Sequence, residues 1–245
     1  VFRNFISKEN CAIFKEEINK IEKKLLDEKK SKVNGTPLKF GNNEDGSLSI
    51  QRICFGSTFS PILKDFLNDP RFKELTILTH PYEGRINELE KDGMVINNYV
   101  NTTNSSFNQM GWHTDAPRDL FHWQKIMPML NVGTHLDNCL YETGGLRLIP
   151  GTHKQNIFKL LFHKKYFIDN SDDEREIGFD FFEGDLSVHD GRLWHRVKRS
   201  TLTGEASRRR VMYIPIITGK VKVKNENSPT PFYLRFQHKV HKNKS

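Results

Sequence analysis

The chain has 245 residues and a net charge of +8; 36% of it is apolar and 11% aromatic, with 18 Phe, enough for a sizeable core. No apolar run approaches the ~18 residues of a membrane span, and Cys11, Cys54 and Cys139 form neither an even disulfide framework nor a metal-like spacing. The positive excess is scattered or gathered in the tail "HKVHKNKS", which speaks against nucleic acid as a partner and leaves an anionic small molecule open. No signal-peptide architecture follows Val1, so the expectation is a soluble, intracellular and cytoplasmic protein; a first residue other than Met leaves the natural N-terminus open. Oligomeric state is not legible.

Residues 9–30 are predicted to form a helix. Cys11, Phe14, Ile18, Ile21 and Leu25 recur at three- and four-residue steps, with Lys and Glu on the other face. "NGTP" and "GNNEDGS" are loop signals, and "SLSIQRICF" is strand-like. "SPILKDFLNDPRFKELTILTH" reads as two short helices, one capped by Ser60 and the next opened by Pro70. From Met94 the texture changes to short β-prone runs at 94–101, 128–136, 145–149, 177–182, 185–189, 193–198 and 208–218, separated by "ETGG", "EGD" and "HDG" turns. Segment 152–176 interrupts them with a helix, basic in its first half, and a polar loop; it is a candidate lid or a surface helix. The fold class expected is mainly β with flanking α-helices, a sandwich or jelly roll closed on itself. One domain spans 1–245: a helical N-terminal buttress (1–93), a β-core (94–218) and a C-terminal extension (219–245).

"QMGWHTDAP" brings His113 and Asp115 two positions apart, so on a strand both would face one point. His-x-Asp alone is weak, because the chain repeats it as His135 and Asp137 in "GTHLDN". A third ligand is offered by "GDLSVHDGRLWHRV", as His189 or His195. Two His and one carboxylate leave three positions of an octahedral ion open, which suits non-haem Fe(II) oxygen chemistry better than zinc. Beyond lie three arginines in "SRRRVMYIPI". Alternation turns one or two of them inward, where a guanidinium needs a carboxylate partner such as the far end of 2-oxoglutarate.

"WHTD", "ETGGLRLIPGTHK" and "GDLSVHDGRLWH" followed by Arg resemble, in that order, the phytanoyl-CoA dioxygenase family of Fe(II)- and 2-oxoglutarate-dependent oxygenases. "LKDFLNDPRFKEL" is similar to the stretch before that family's core, and the likeness covers roughly residues 60–218. It implies a double-stranded β-helix of cupin-like type, with Fe(II) as cofactor, 2-oxoglutarate as cosubstrate and dioxygen as co-reactant. It implies His113, Asp115 and His195 as metal ligands and catalytic centre, the distal His falling ten residues after Asp185. Arg209 becomes the 2-oxoglutarate anchor, with Val211 and Tyr213 on its face; the spacing from His195 is longer than usual, so Arg208 and Arg210 remain alternatives. "INNY" resembles the Asn-x-Tyr with which alkylation-repair dioxygenases hold 2-oxoglutarate, implying Asn97 and Tyr99 as cosubstrate residues.

The remaining candidates get plainer readings. His135 is a strand histidine with an ordinary hydrogen bond, His189 a pocket or turn residue, and His153 a substrate contact or a loop stabiliser. Trp112, Trp123 and Trp194 are core or pocket wall before they are cation–π partners. The resemblance implies hydroxylation of an unactivated C–H bond of a small-molecule, acyl or amino-acid-type substrate, with release of succinate and carbon dioxide. Asp115 argues against halogenation, since related halogenases have a small residue there. The rivals are an alkylation-repair-like demethylase of nucleic acid or protein, and a non-catalytic jelly-roll binding module.

Overall fold

In the computed structural model, residues 1–103, 105, 107–115 and 125–231 are described. Helix α1 (Lys8–Asp27) starts where the Ser7 side chain accepts from the Asn10 N–H, and it buries the expected stripe of Cys11, Phe14, Ile18, Ile21 and Leu25. Each such side chain taken from water contributes about 1.5–3 kcal/mol. The helix stops three residues before the expected 30, because Lys29 turns the chain into the left-handed region at φ 50°. "NGTP" is a two-residue hairpin rather than a free loop. Its strands β1 (Lys32–Val33) and β2 (Thr36–Pro37) are joined by Asn34 and Gly35, both at positive φ. Helices α2 (Pro61–Leu67) and α3 (Pro70–Leu75) begin as predicted, with Ser60 and Asp69 as caps and Pro at the first turn of each.

The β-structure falls into two sheets. The larger has six strands in the order β3 (Lys39–Asn42), β4 (Leu48–Ile53), β5 (Val95–Asn101), β11 (Gly204–Ile217), β7 (Met129–His135) and β9 (Leu186–Asp190). The smaller has β6 (Met110–His113), β10 (His195–Lys198) and β8 (Gly145–Leu148). Every pairing is antiparallel, as a jelly roll requires. β3 and β4, from the segment read as a helical buttress, extend the larger sheet through Arg52↔Asn97 and Ile53↔Ile96.

Register fixes what the inner face carries, since partners across a ladder share a face. Tyr99 lies opposite Arg209; Asn97 opposite Val211, and Val211 opposite His135. Tyr213 is paired with Gly133, and Asn131 with His189. The predicted run 177–182 is not a strand. Ile177 bridges Leu148 while Phe181 bridges Cys139, so the segment ties to two places and builds a ladder with neither. After the 3-10 turn Thr152–Lys154 and helix α4 (Ile157–Phe162), the chain runs as a strap along β6: the Trp112 N–H donates to the Asp169 carbonyl at 2.8 Å, and the Phe167 N–H to the Trp112 carbonyl at 2.9 Å.

Candidate metal centre

His113 ends β6 and His195 opens β10, and the two are direct partners in that ladder. Their rings stand 4.1 Å apart, centroid to centroid. β6 stops at His113, so Asp115 is not on the strand as the i, i+2 reading supposed. It sits in a bend, held by its N–H donating to the Gly191 carbonyl at 2.8 Å. The bend does what the strand was expected to do: one ligand atom each of His113, Asp115 and His195 lie within 4.8 Å of one another. This is the one such group of three or more His, Cys, Asp or Glu among the described residues.

The donor chemistry fits a divalent transition metal. Nδ1 of His113 lies 2.8 Å from the Gly111 carbonyl, and Nδ1 of His195 lies 2.9 Å from the Leu193 carbonyl. A carbonyl only accepts, so each Nδ1 carries the proton and each Nε2 keeps its lone pair for a ligand. Burial, with His195 beside it, pushes His113 down to about 3, so this imidazole is neutral as ligation demands. Nε2 of His195 is 3.8 Å from Oδ2 of Asp115. That same oxygen accepts from Nδ2 of Asn131 at 2.6 Å, which fixes the carboxylate's rotation.

Asn131 was missed by the sequence reading. Its only signal was a polar residue inside the apolar β-run 128–136, and that shows its meaning only once the pairing with His189 is known. His189 is buried with Nε2 3.3 Å from Nδ2 of Asn131, and its ring centre is 4.8 Å from that of His195. It lines the centre without belonging to the convergent group. His153 sits half-buried in the turn Thr152–Lys154, its Nδ1 without a hydrogen-bond partner.

The three arginines separate by partner. Arg208 donates to Glu205, Asn98 and Asn43, and Arg210 forms a two-pronged pair with Asp137 at 2.8 and 2.9 Å. Arg209 points the other way, 5% exposed, and no carboxylate among the described residues pairs with it. Its Nη1 donates to the Lys198 carbonyl at 3.2 Å, and its Nε is buried without a partner. Gly144 and Gly145 of "ETGG" make room for it: a Cβ on Gly144, at φ +116°, would lie 3.0 Å from Nη1. Across the ladder, Tyr99 presents a hydroxyl that is also buried and unpartnered, its ring 5.7 Å from the guanidinium carbon. A buried cation and a neighbouring hydroxyl, both incompletely satisfied, fit a carboxylate guest. Asn97 is differently engaged, its amide oxygen accepting from Nη1 of Arg52 at 3.1 Å. Arg52 gave no sequence signal, because its place depends on β4 joining β5.

Trp112 and Trp194 are fully buried, as core or wall residues should be. Trp112 adds what the sequence reading set second: Lys164 and Arg196 stand over its ring at 4.9 and 5.0 Å. Trp123 lies outside the described residues. A cavity of about 550 Å³ is lined by Gly151, Lys154, Asn156, Lys159, His163 and their neighbours and by none of the three convergent residues. The donor chemistry, not the size of a hollow, marks the metal centre.

Comparison with curated proteins finds no match. Among solved structures, AviO1 from Streptomyces viridochromogenes Tue57 shares 16% identity at a TM-score of 0.58, with 89% of each chain covered. SnoN, the non-heme alpha-ketoglutarate-dependent epimerase from nogalamycin biosynthesis, shares 13% at 0.61, covering 95% of this chain and 81% of that one. HygX from Streptomyces hygroscopicus, solved with nickel and 2-oxoglutarate bound, shares 14% at 0.56, covering 87% and 79%. At such identities the likeness speaks for the fold, a cupin-like jelly roll. No helix among the described residues is long and apolar enough to cross a membrane. The model of the family described as "Phytanoyl-CoA dioxygenase (PhyH)" matches residues 1–209, so this chain belongs to that family of Fe(II)- and 2-oxoglutarate-dependent oxygenases.

Proposed function

We propose that this enzyme hydroxylates an unactivated C–H bond of a small-molecule, acyl or amino-acid-type substrate, with conversion of 2-oxoglutarate to succinate and carbon dioxide. The observation that carries the reading is the convergence, within 4.8 Å, of one carboxylate and two imidazoles that each spend Nδ1 on a backbone carbonyl. His113, Asp115 and His195 would hold Fe(II). Bound there, the iron supplies dioxygen activation, which no side chain of this chain can perform. Asn131 keeps the Asp115 carboxylate turned toward the two imidazoles through its 2.6 Å hydrogen bond. Arg209 and the Tyr99 hydroxyl would receive the far carboxylate of 2-oxoglutarate, supported by their unpartnered buried atoms. His113 and His195 are each about 5% exposed, so little of either imidazole meets bulk water.

Asp115 favours oxygen transfer over halogenation, because its carboxylate occupies the position a halide would need. SnoN, of the same fold, is described as an epimerase, so the outcome of C–H cleavage must be measured. The test uses the iron-loaded protein, 2-oxoglutarate and a metabolite panel, scored by stimulated succinate release. Under labelled dioxygen the product should gain one labelled oxygen per succinate. A chlorinated product in chloride buffer overturns hydroxylation, as does an unlabelled, desaturated or epimerised one.

A further inference from the structure

Helix α4 carries an apolar face that nothing among the described residues covers. Phe158 and Phe162, one helical turn apart and so side by side, are 72% and 75% exposed. Ile157, at the first turn of the same helix, is 47% exposed. A folded protein leaves such large side chains in water singly, seldom in a group on one short helix. Leu160, on the opposite side of the helix, is buried, so α4 is seated on the protein and presents its aromatic side outward.

Charge tells what would cover it. Residues 151–168 contain four lysines and no acidic residue. Lys154, Lys159 and Lys165 are exposed in the same segment as the phenylalanines, and Lys154 and Lys159 also line the cavity beside the helix. Of the acidic residues that follow, Asp172 pairs with Arg196 and Lys198, and Asp173 offsets Lys164 and Arg175, which leaves Lys154, Lys159 and Lys165 as the segment's exposed positive charges. Protruding aromatic rings on a lysine-rich segment are the chemistry of an interfacial lipid anchor, with rings below the headgroups and ammonium groups among the phosphates. A protein partner would instead call for a groove that receives a helix or for directional polar groups; here the apolar side chains project.

The patch is also wired to the metal centre. The Tyr166 hydroxyl donates to the Leu160 carbonyl at 2.7 Å and so accepts from Thr114, between His113 and Asp115, at 2.6 Å. Phe167 stacks on His113 at 4.7 Å. We propose that the outer face of α4 docks this enzyme on an anionic phospholipid surface. The docking stands on the surface alone; its service to the metal centre rests on the function proposed above.

The test is sedimentation of the full chain with vesicles of phosphatidylcholine containing about one third phosphatidylglycerol, against pure phosphatidylcholine. Binding should require the anionic lipid. Phe158→Ser and Phe162→Ser should each weaken it about tenfold, the loss expected when one buried ring is removed. Lys159→Glu should weaken it further when added to either. Phe158→Trp gives a second reading, a blue shift of emission on adding the anionic vesicles. His113→Ala should bind vesicles as the unmutated protein does, so a failure of the iron assignment stays separate from a failure of docking. Indifference to anionic vesicles overturns the proposal. So does vesicle binding that ignores both phenylalanines, which would place the affinity in scattered charge. An acidic carrier protein captured through Phe158 and Phe162, with vesicles ignored, would move the surface to a protein partner and equally overturn it.

Discussion

The chain spells His-x-Asp twice, and the two copies meet opposite fates. His113 and Asp115 converge with His195, whereas His135 and Asp137 part company. Asp137 leaves to pair with Arg210 and Lys15, and His135 stays in the sheet with Nε2 3.0 Å from the Ser187 hydroxyl and its ring stacked on Phe181 at 3.9 Å. Both histidines are buried and both are pushed down to about 3, chiefly by desolvation. Burial and pKa therefore do not separate a ligand from a structural histidine. What separates them is which nitrogen is spent. His113 gives Nδ1 to a carbonyl and keeps Nε2 free, while His135 commits Nε2 to its neighbour.

The largest effect should come from exchanging the two copies' losses. Asp115→Ala or His195→Ala should lower Fe(II) affinity and 2-oxoglutarate turnover by at least about 100-fold. His135→Ala should leave iron affinity unchanged and cost about 2–3 kcal/mol of stability in urea denaturation. Anaerobic Fe(II) titration distinguishes them; a metal centre lost in His189→Ala but kept in His195→Ala would reassign the distal ligand.

The arginines sharpen the contrast, since Arg210 serves the structural copy and Arg209 faces the metal side. Arg209→Lys should raise the apparent KM for 2-oxoglutarate about tenfold or more, because an ammonium copies the guanidinium fork poorly. Arg210→Lys should leave that constant alone and lower stability by about 1 kcal/mol through the weakened pair with Asp137. An unchanged KM in Arg209→Lys, with a large change at Arg208 or Arg210, would move the anchor.

The smallest effect is in pH. His135 folds neutral with its pKa depressed from 6.5 to about 3, so the unfolded chain binds more protons below pH 6.5. Its contribution is complete above that value and fades as pH falls toward 3. Between pH 7 and 5.5 this one group should cost about 1 kcal/mol. His135→Phe should lose that much less stability over the interval, measured by urea denaturation of the metal-free protein. Equal losses would mean that His135 gains a proton without strain.

Much of this was legible in the sequence, for reasons particular to each element. Helix α1 announced itself because one stripe of apolar residues meets the core, and α2 and α3 because Ser60, Pro61 and Pro70 mark their first turns. The metal residues were legible as motifs in a fixed order, though not as geometry: Asp115 reaches the centre from a bend. The partners of Arg208, Arg209 and Arg210 could not be read from the run itself, because Glu205, with Asn98 and Asp137 from elsewhere in the chain, claim Arg208 and Arg210. Run 177–182 misled for a related reason: β-prone residues need a free neighbouring ladder, and here two different neighbours each take one residue. Asn131 and Arg52 were invisible because their roles exist only across strand pairings far apart in sequence.

The strap beside β6 has a consequence for how this protein can fail. β6 is the last strand of its three-stranded sheet, and an unguarded last strand offers its free N–H and C=O groups to any passing chain. Trp112 spends both of its backbone groups on Phe167 and Asp169, which closes that edge from within. A protease cut between Lys164 and Ser171 would bare the edge without touching a metal-binding side chain. Aggregation, read as light scattering after limited proteolysis, should then precede any loss of iron.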